Sequence, residues 1–212
     1  MAKNKEILFL KNTIQGLSEK KKYAESLPYL QRYRKLQPHD VEFQILYAQN
    51  LLFRSIPNSK TSRQDQDIYC DQKKNYLEKV SPTDTRQCQR KKTLSIRRHY
   101  RLAARIFAKY VPFLEKQWIA NPNKQKKQPM QKLANYKMRL AKLYFQFGFA
   151  ETYAGNPYKA IRAFLKSSKF APERKESYYN IASLYEILGK KPEAKVYWLK
   201  YEKIISKKQD SK

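Results

Sequence analysis

A 34-residue period in the C-terminal third of this 212-residue chain limits the folds that it can adopt. Three pairs of like residues share that spacing: Gly155 with Gly189, Ala160 with Ala194, and Tyr144 with Tyr178. Each unit contains two amphipathic stretches joined by a short turn, at 155–157 or 189–192, where glycine ends one helix and proline begins the next. A single pair of helices cannot bury its apolar faces, so the period predicts antiparallel helix pairs that stack on one another.

The repeating positions resemble the tetratricopeptide repeat (TPR) family. The first unit matches that pattern at Tyr144, Phe147, Gly148, Gly155, Ala160, Phe164 and Pro172. The second unit matches it at Tyr178, Ile181, Ala182, Tyr185, Gly189, Ala194 and Trp198. Glu151, Tyr201 and Ser206 depart from the family pattern. In the N-terminal part, 22–38 resembles a second helix with its closing proline, and 40–53 resembles the first helix of the next pair.

The sequence therefore predicts an all-α fold, in which antiparallel helix pairs form a short TPR-like α-solenoid of eight or nine helices with an irregular insertion. The segments we expect are degenerate TPR-like helices at 1–54, a loop-rich insertion at 55–92 with a helix near 66–80, a basic amphipathic helix and basic loop at 93–128, two TPR-like repeats at 129–206, and a polar tail at 207–212.

Several classes of function find no support in the composition. The four glycines cannot form a phosphate-binding loop, and no apolar run is long enough for a signal peptide or a transmembrane segment. The two cysteines, Cys70 and Cys88, and the two histidines, His39 and His99, have no spacing known for zinc or for a catalytic triad. We expect no enzyme activity, no metal, no cofactor and no small-molecule substrate, and a cytoplasmic protein in a reducing compartment.

Positive charge is concentrated in one segment. The chain has a formal net charge of +28, and residues 90–142 contain 16 basic side chains and one acidic one, Glu115. Apolar residues within 93–119 recur every three or four positions, which predicts an amphipathic helix with a cationic face. The candidate anion-binding or nucleic-acid-binding residues are Arg97, Arg98, Arg101, Arg105 and Lys109 on this helix, and Lys124, Lys126 and Lys127 in the loop after it.

The resemblance to TPR proteins also implies a concave groove that accepts a protein segment. Counted from the matched positions, its residues would be Lys142, Phe145, Gln146, Phe149, Tyr153, Tyr179, Asn180 and Ser183. Alternatively, Phe149 and Tyr153 pack against a neighbouring helix. A carboxylate clamp of the kind found in some TPR proteins agrees with Lys142 and Asn180 but not with Gln146 or Glu176.

These observations predict a non-enzymatic scaffold with a protein partner in the groove and an anionic partner, RNA or a ribonucleoprotein, on the basic face. Tyr100, Tyr110, Trp118 and Tyr136 accompany the cations in the basic segment. An acidic protein or an anionic membrane surface could use the same cations. The alternative is a purely protein-binding adaptor or assembly factor of a multiprotein complex, in which the basic face only keeps the protein in solution.

Overall fold

The computed structural model describes residues 2–55, 86–120 and 130–209, and these form eight α-helices and no strand. Numbered in chain order, the helices are α1 (Ala2–Glu19), α2 (Tyr23–Leu36), α3 (Val41–Ser55), α4 (Arg86–Ile119), α5 (Met130–Ala154), α6 (Pro157–Phe170), α7 (Lys175–Ile187) and α8 (Lys191–Gln209). The described part of the chain is all-α, as the repeat predicts.

One type of turn ends the first helix of three helix pairs, at Lys21, Gly155 and Gly189. Their φ angles are positive, at 55°, 88° and 73°, a conformation that ends many helices and that glycine adopts without steric cost. The next amide donates to the carbonyl five residues earlier at 2.9 Å in every case, from Lys22 to Leu17, from Asn156 to Glu151 and from Lys190 to Tyr185. The pair α1–α2 therefore repeats the turn geometry of α5–α6 and α7–α8, although its own turn contains no glycine.

Within the pair α5–α6, a small residue faces a large one. The ring of Phe164 on α6 lies against Gly148 on α5, where an added β-carbon would come within 2.7 Å of the ring. Phe164 is 1 % exposed. This contact brings the two helix backbones close together and fixes the position of α6 on α5.

Each helix packs against the helices that precede and follow it in the chain, from α1 on α2 to α7 on α8. One core cluster joins the first five helices and contains Tyr33, Phe107 and Tyr144. A second joins α6 to α7 through Phe164 and Ile181. Sequential packing of this kind is the architecture of an α-solenoid.

Two helix ends differ from the predicted segment boundaries. Helix α4 begins at Arg86 instead of near residue 93, so residues 86–92 of the predicted insertion are helical. Those residues are nearly all polar and have no apolar periodicity, which is why the sequence pattern places the start of the helix too late. Helix α8 continues to Gln209, into the predicted polar tail. The rest of the insertion, with the helix expected near 66–80, lies outside the described residues.

Candidate interaction surfaces

Helix α4 presents cations on the face that turns away from its neighbours. All five of its predicted anion-binding residues are exposed: Arg97, Arg98, Arg101, Arg105 and Lys109. We call this set the basic stripe. The buried face of α4, which includes Tyr100, Phe107 and Val111, packs against α3 and α5. Residues four positions apart lie on one side of a helix, about 6 Å apart along its axis, so the stripe is continuous.

Glu115, the only acid on α4, is already paired with other groups. Its carboxylate accepts a hydrogen bond from Lys166 Nζ at 2.6 Å and another from the hydroxyl of Tyr144. Burial opposes ionisation of Glu115, but these hydrogen bonds and the charges of Lys166 and Lys169 outweigh it and hold the pKa of Glu115 below its ordinary value. The carboxylate is therefore ionised at neutral pH and links α4, α5 and α6. Glu115, the one acid of α4, is thus engaged by residues of α5 and α6.

Aromatic side chains of the basic segment are engaged in packing. Tyr100 is 4 % exposed and stacks on Tyr153 of α5 with ring centroids 4.7 Å apart. Burial raises the pKa of Tyr100 to about 12. Trp118 stacks on Tyr136 of α5 at 5.4 Å, and Tyr110 packs against the core. Tyr100, Trp118 and Tyr136 therefore belong to helix interfaces. At the C-terminal end of the basic stripe, the Lys109 ammonium lies 5.1 Å from the centroid of Tyr110, and Phe113 is 43 % exposed. Lys124, Lys126 and Lys127 lie outside the described residues.

A groove of about 330 Å³ lies between α3 and α5. Its lining residues are Glu42, Phe43, Ile45, Leu46 and Gln49 from α3 and Arg139, Lys142 and Leu143 from α5. An ion pair between Glu42 and Arg139 crosses it. Ile45 and Leu143, each 3 % exposed, provide an apolar floor. Apolar floors with a few polar and charged groups around them are typical of sites that bind peptide segments.

Of the predicted groove residues on α5, Lys142 lines this groove. The side chain of Gln146 accepts a hydrogen bond from Gln49 of α3 at 2.8 Å, next to the groove. Phe149 and Tyr153 pack on each other with ring centroids 4.6 Å apart, and Tyr153 also stacks on α4. These contacts agree with the alternative prediction, in which Phe149 and Tyr153 pack against a neighbouring helix.

The other predicted groove residues are also occupied in packing. The ring of Phe145 lies 5.3 Å from Phe164, edge to face, and the Arg174 guanidinium lies 4.1 Å from its centroid. Tyr179 packs edge-on against Trp198 of α8 at 5.1 Å.

Two polar residues of α7 complete the predicted set. The Asn180 amide donates to the Glu176 carbonyl at 2.8 Å, one turn earlier in the same helix. Asn180 and Ser183 are 8 % and 7 % exposed. None of the three predicted residues on α7 lines the groove between α3 and α5.

The α3 side of the groove could have been found from the sequence. Helix α3 matches the repeat with Ala48 in the position of Gly148. The five offsets from Gly148 to the predicted α5 residues lead from Ala48 to Glu42, Ile45, Leu46, Gln49 and Phe53. The first four of these line the groove and Phe53 does not. The degenerate repeat in α3 therefore contained enough information to predict these lining residues. No position of the repeat predicted Arg139.

The described residues offer little for other kinds of site. Within 2–55, 86–120 and 130–209, no three His, Cys, Asp or Glu side chains come together in a way that could hold a metal ion. None of the described helices combines the length and apolar character needed to cross a lipid bilayer.

Comparison with known proteins does not assign a family. No protein-family model matches the chain, and no curated protein matches it. A solved structure of MamA protein is 16 % identical, with 98 % of this chain and 96 % of that chain covered and a TM-score of 0.39. MamA 41-end from Desulfovibrio magneticus RS-1 is 14 % identical, with 95 % and 96 % covered and a TM-score of 0.38. These identities and TM-scores are too low to support an argument. The all-helical architecture is therefore inferred from the helix packing of this chain.

Proposed function

We propose that this chain is a non-enzymatic TPR-type interaction scaffold that binds a protein segment between α3 and α5 and docks RNA, free or in a ribonucleoprotein, on its basic stripe. The TPR relationship is supported by the 34-residue spacing together with the turn shared by Lys21, Gly155 and Gly189. We expect it to act in the cytoplasm, where its two cysteines would stay reduced.

The proposal of an anionic partner rests on the five exposed cations of α4. The one acid on this helix, Glu115, is paired with Lys166 of α6. Each cation that neutralises a phosphate releases counterions, which makes binding strong at low salt and steeply dependent on salt concentration. Arginine also binds phosphate through two parallel hydrogen bonds. A polyanion such as RNA gains from all five cations at once.

The direct test is RNA affinity across a salt series. We expect the logarithm of the association constant to fall linearly with the logarithm of salt concentration, and Arg97, Arg98, Arg101 and Arg105 changed together to Glu to abolish binding. Far-ultraviolet circular dichroism checks that this variant keeps its helices. No RNA binding by the native protein at 50 mM salt would contradict this part of the proposal.

The groove is tested separately by reversing the charge of Lys142, which lines it. We expect Lys142→Glu to lose a protein partner that co-purifies with the nuclease-treated native protein. Lys137→Glu is the matched control, because Lys137 is an exposed lysine of the same helix that does not line the groove. Equal loss of the partner from both variants would show that overall charge, and not the groove, decides this interaction.

The second candidate function is a purely protein-binding adaptor or assembly factor. It is favoured by the composition of the groove lining, which includes no residue of α4 and therefore does not depend on the basic stripe. Co-purification with and without nuclease separates the two functions. Partners that persist after nuclease treatment, together with no RNA affinity, would establish the adaptor.

A further inference from the structure

We infer that the anion-binding surface extends from α4 onto α6 and that it holds a base-paired nucleic acid by its phosphate backbone. This inference rests on the proposed function and adds to it a second row of cations and the class of nucleic acid.

Helices α4 and α6 run side by side in the same direction. Near the C-terminal end of each, Lys166 of α6 bonds to Glu115 of α4 at 2.6 Å. Near the N-terminal end of α6, a guanidinium nitrogen of Arg97, in the N-terminal half of α4, lies 3.7 Å from the place of a β-carbon on Gly155, in the turn that leads into α6. Both helices also pack on α5. Their exposed faces therefore form adjoining parts of one surface.

Helix α6 has its own row of exposed cations at three- and four-residue intervals. The row consists of Lys159, Arg162, Lys166 and Lys169, all exposed, on a helix that contains no acidic residue. We call it the α6 row. The opposite face of α6 is buried through Ile161 and Phe164. Lys166 is paired with Glu115, so Lys159, Arg162 and Lys169 are the cations that the α6 row adds to the surface.

Two rows of cations match a duplex better than a single strand. The basic stripe is about 18 Å long from Arg97 to Lys109, and the α6 row lies on a different helix that packs on the same side of the fold through α5. A DNA duplex carries one negative charge per about 1.7 Å of its axis, and the two strands of any duplex place a row of phosphates on each side of every groove. Cations on both helices can thus contact two phosphate rows at once.

The aromatic side chains provide a test of this conclusion. Proteins that bind single strands combine cations with exposed rings on which bases stack. Tyr100 is buried, and Trp118 is stacked on Tyr136. Tyr158 on α6 is 54 % exposed, but the Lys190 ammonium lies 5.6 Å from its ring centroid. Phe113 on α4, one turn beyond Lys109, is 43 % exposed. The cations of the two rows outnumber these two exposed rings, so we expect phosphate contacts to dominate, and Phe113→Ala and Tyr158→Ala to bind a duplex as the native protein does.

The first experiment compares three oligonucleotides of 20 nucleotides per strand: an RNA duplex, a DNA duplex and single-stranded oligo(U). We expect the RNA duplex to bind at least about tenfold more tightly than oligo(U) at 0.1 M salt. Equal or tighter binding of oligo(U), or a loss of affinity in Phe113→Ala or Tyr158→Ala, would overturn the duplex assignment. The DNA duplex identifies the source of the phosphates, because tight binding of DNA with no binding of RNA would leave the duplex inference standing and contradict the RNA part of the proposed function.

The second experiment tests the α6 row with the double variant Lys159→Gln/Arg162→Gln. Loss of two phosphate contacts should lower the steepness of the salt dependence by about 1.8 and weaken duplex affinity by at least about tenfold at 0.1 M salt. Lys3→Gln/Lys5→Gln removes two exposed cations from α1 and is the matched control, for which we expect no loss beyond a weak long-range effect.

These measurements separate the failure of the inference from the failure of the proposed function. If the arginine variant of α4 loses duplex binding while the α6 variant matches its control, the surface ends at α4 and the inference is wrong, although the scaffold function stands. If neither duplex nor oligo(U) binds at 50 mM salt, the nucleic-acid function itself is wrong. Binding of poly-glutamate as tight as that of the duplex would assign the surface to an acidic protein instead.

Discussion

Single residues determine the geometry of the turns between paired helices, and Lys21 is the clearest example. Its φ of 55° is the conformation that Gly155 and Gly189 adopt in the equivalent turns. A residue with a side chain is strained in this region by about 1–2 kcal/mol because its Cβ approaches the following carbonyl oxygen. The turn persists because the packing of α1 on α2 and the hydrogen bond from Lys22 to Leu17 require it.

The substitution Lys21→Gly should therefore stabilise the protein. We expect a gain of about 1 kcal/mol in the free energy of unfolding, measured by urea titration, since glycine relieves the strain at some cost in unfolded-state entropy. Lys20→Gly is the control: Lys20 does not have a positive φ, so this change should be neutral or destabilising. A destabilised Lys21→Gly variant would show that the side chain of Lys21 matters more than its backbone strain.

Close approach at Gly148 gives a second prediction at this scale. Gly148→Ala should destabilise the protein by about 1–3 kcal/mol, because the new methyl group would overlap the buried ring of Phe164. Gly16→Ala on α1 is the control, since nothing lies within 4 Å of the added carbon. That change should stabilise by about 0.5–1 kcal/mol through helix propensity. Thermal unfolding of both variants tests these two expectations. A Gly148→Ala variant more stable than the native protein would contradict the observed packing.

At the scale of helices, the link through Glu115 holds three elements together. The carboxylate lies on α4, and its donors are Tyr144 on α5 and Lys166 on α6. The same bond raises the pKa of Tyr144, after the larger effect of burial. This link keeps α6 beside α4 and so keeps the two rows of cations on one surface.

Because the pKa of Glu115 is lowered on folding, its contribution to stability is present at neutral pH and is lost as the pH falls through the folded-state value. We expect the stability of the native protein to decrease more between about pH 5 and pH 3 than that of Glu115→Gln, in parallel urea titrations. Glu25→Gln alters an exposed ion pair with Lys22 and should follow the native pH profile. Parallel profiles of the native protein and Glu115→Gln would contradict the role of this link.

For the whole molecule, the net charge of +28 opposes compaction. The screening length of charge–charge interactions is about 30 Å at 0.01 M salt and about 8 Å at 0.15 M salt. Repulsion across the molecule is therefore strong in dilute buffer and largely screened at physiological salt.

The protein should accordingly become more stable as salt is added. We expect the Tm to rise between 0.01 M and 0.15 M sodium chloride. It should rise less in the variant in which Arg97, Arg98, Arg101 and Arg105 are changed to Glu, because four substitutions of two charge units each lower the net charge from +28 to +20. Differential scanning calorimetry measures the Tm of the native protein and of the variant at each salt concentration. A Tm that falls with salt would mean that favourable ion pairs outweigh the repulsion.

The sequence by itself determined the architecture of helix pairs, because its signals are local. A period of 34 residues, glycine and proline at the turns and apolar residues every three or four positions each act within one pair of helices. The amphipathic pattern also predicted that most of the five cations of α4 lie opposite its apolar residues, and all five are exposed. Where no apolar period existed, at 86–92, the same reasoning missed part of a helix.

Only the tertiary structure decided which helices and side chains lie next to each other. It placed the groove between α3 and α5, occupied Phe149 and Tyr179 in packing, paired Glu115 with Lys166, and aligned α6 with α4. These arrangements depend on contacts between residues far apart in the chain. The spacing of residues within one helix sets which side chains share a face, but the packing of helices on one another sets which faces meet and which are left for a partner.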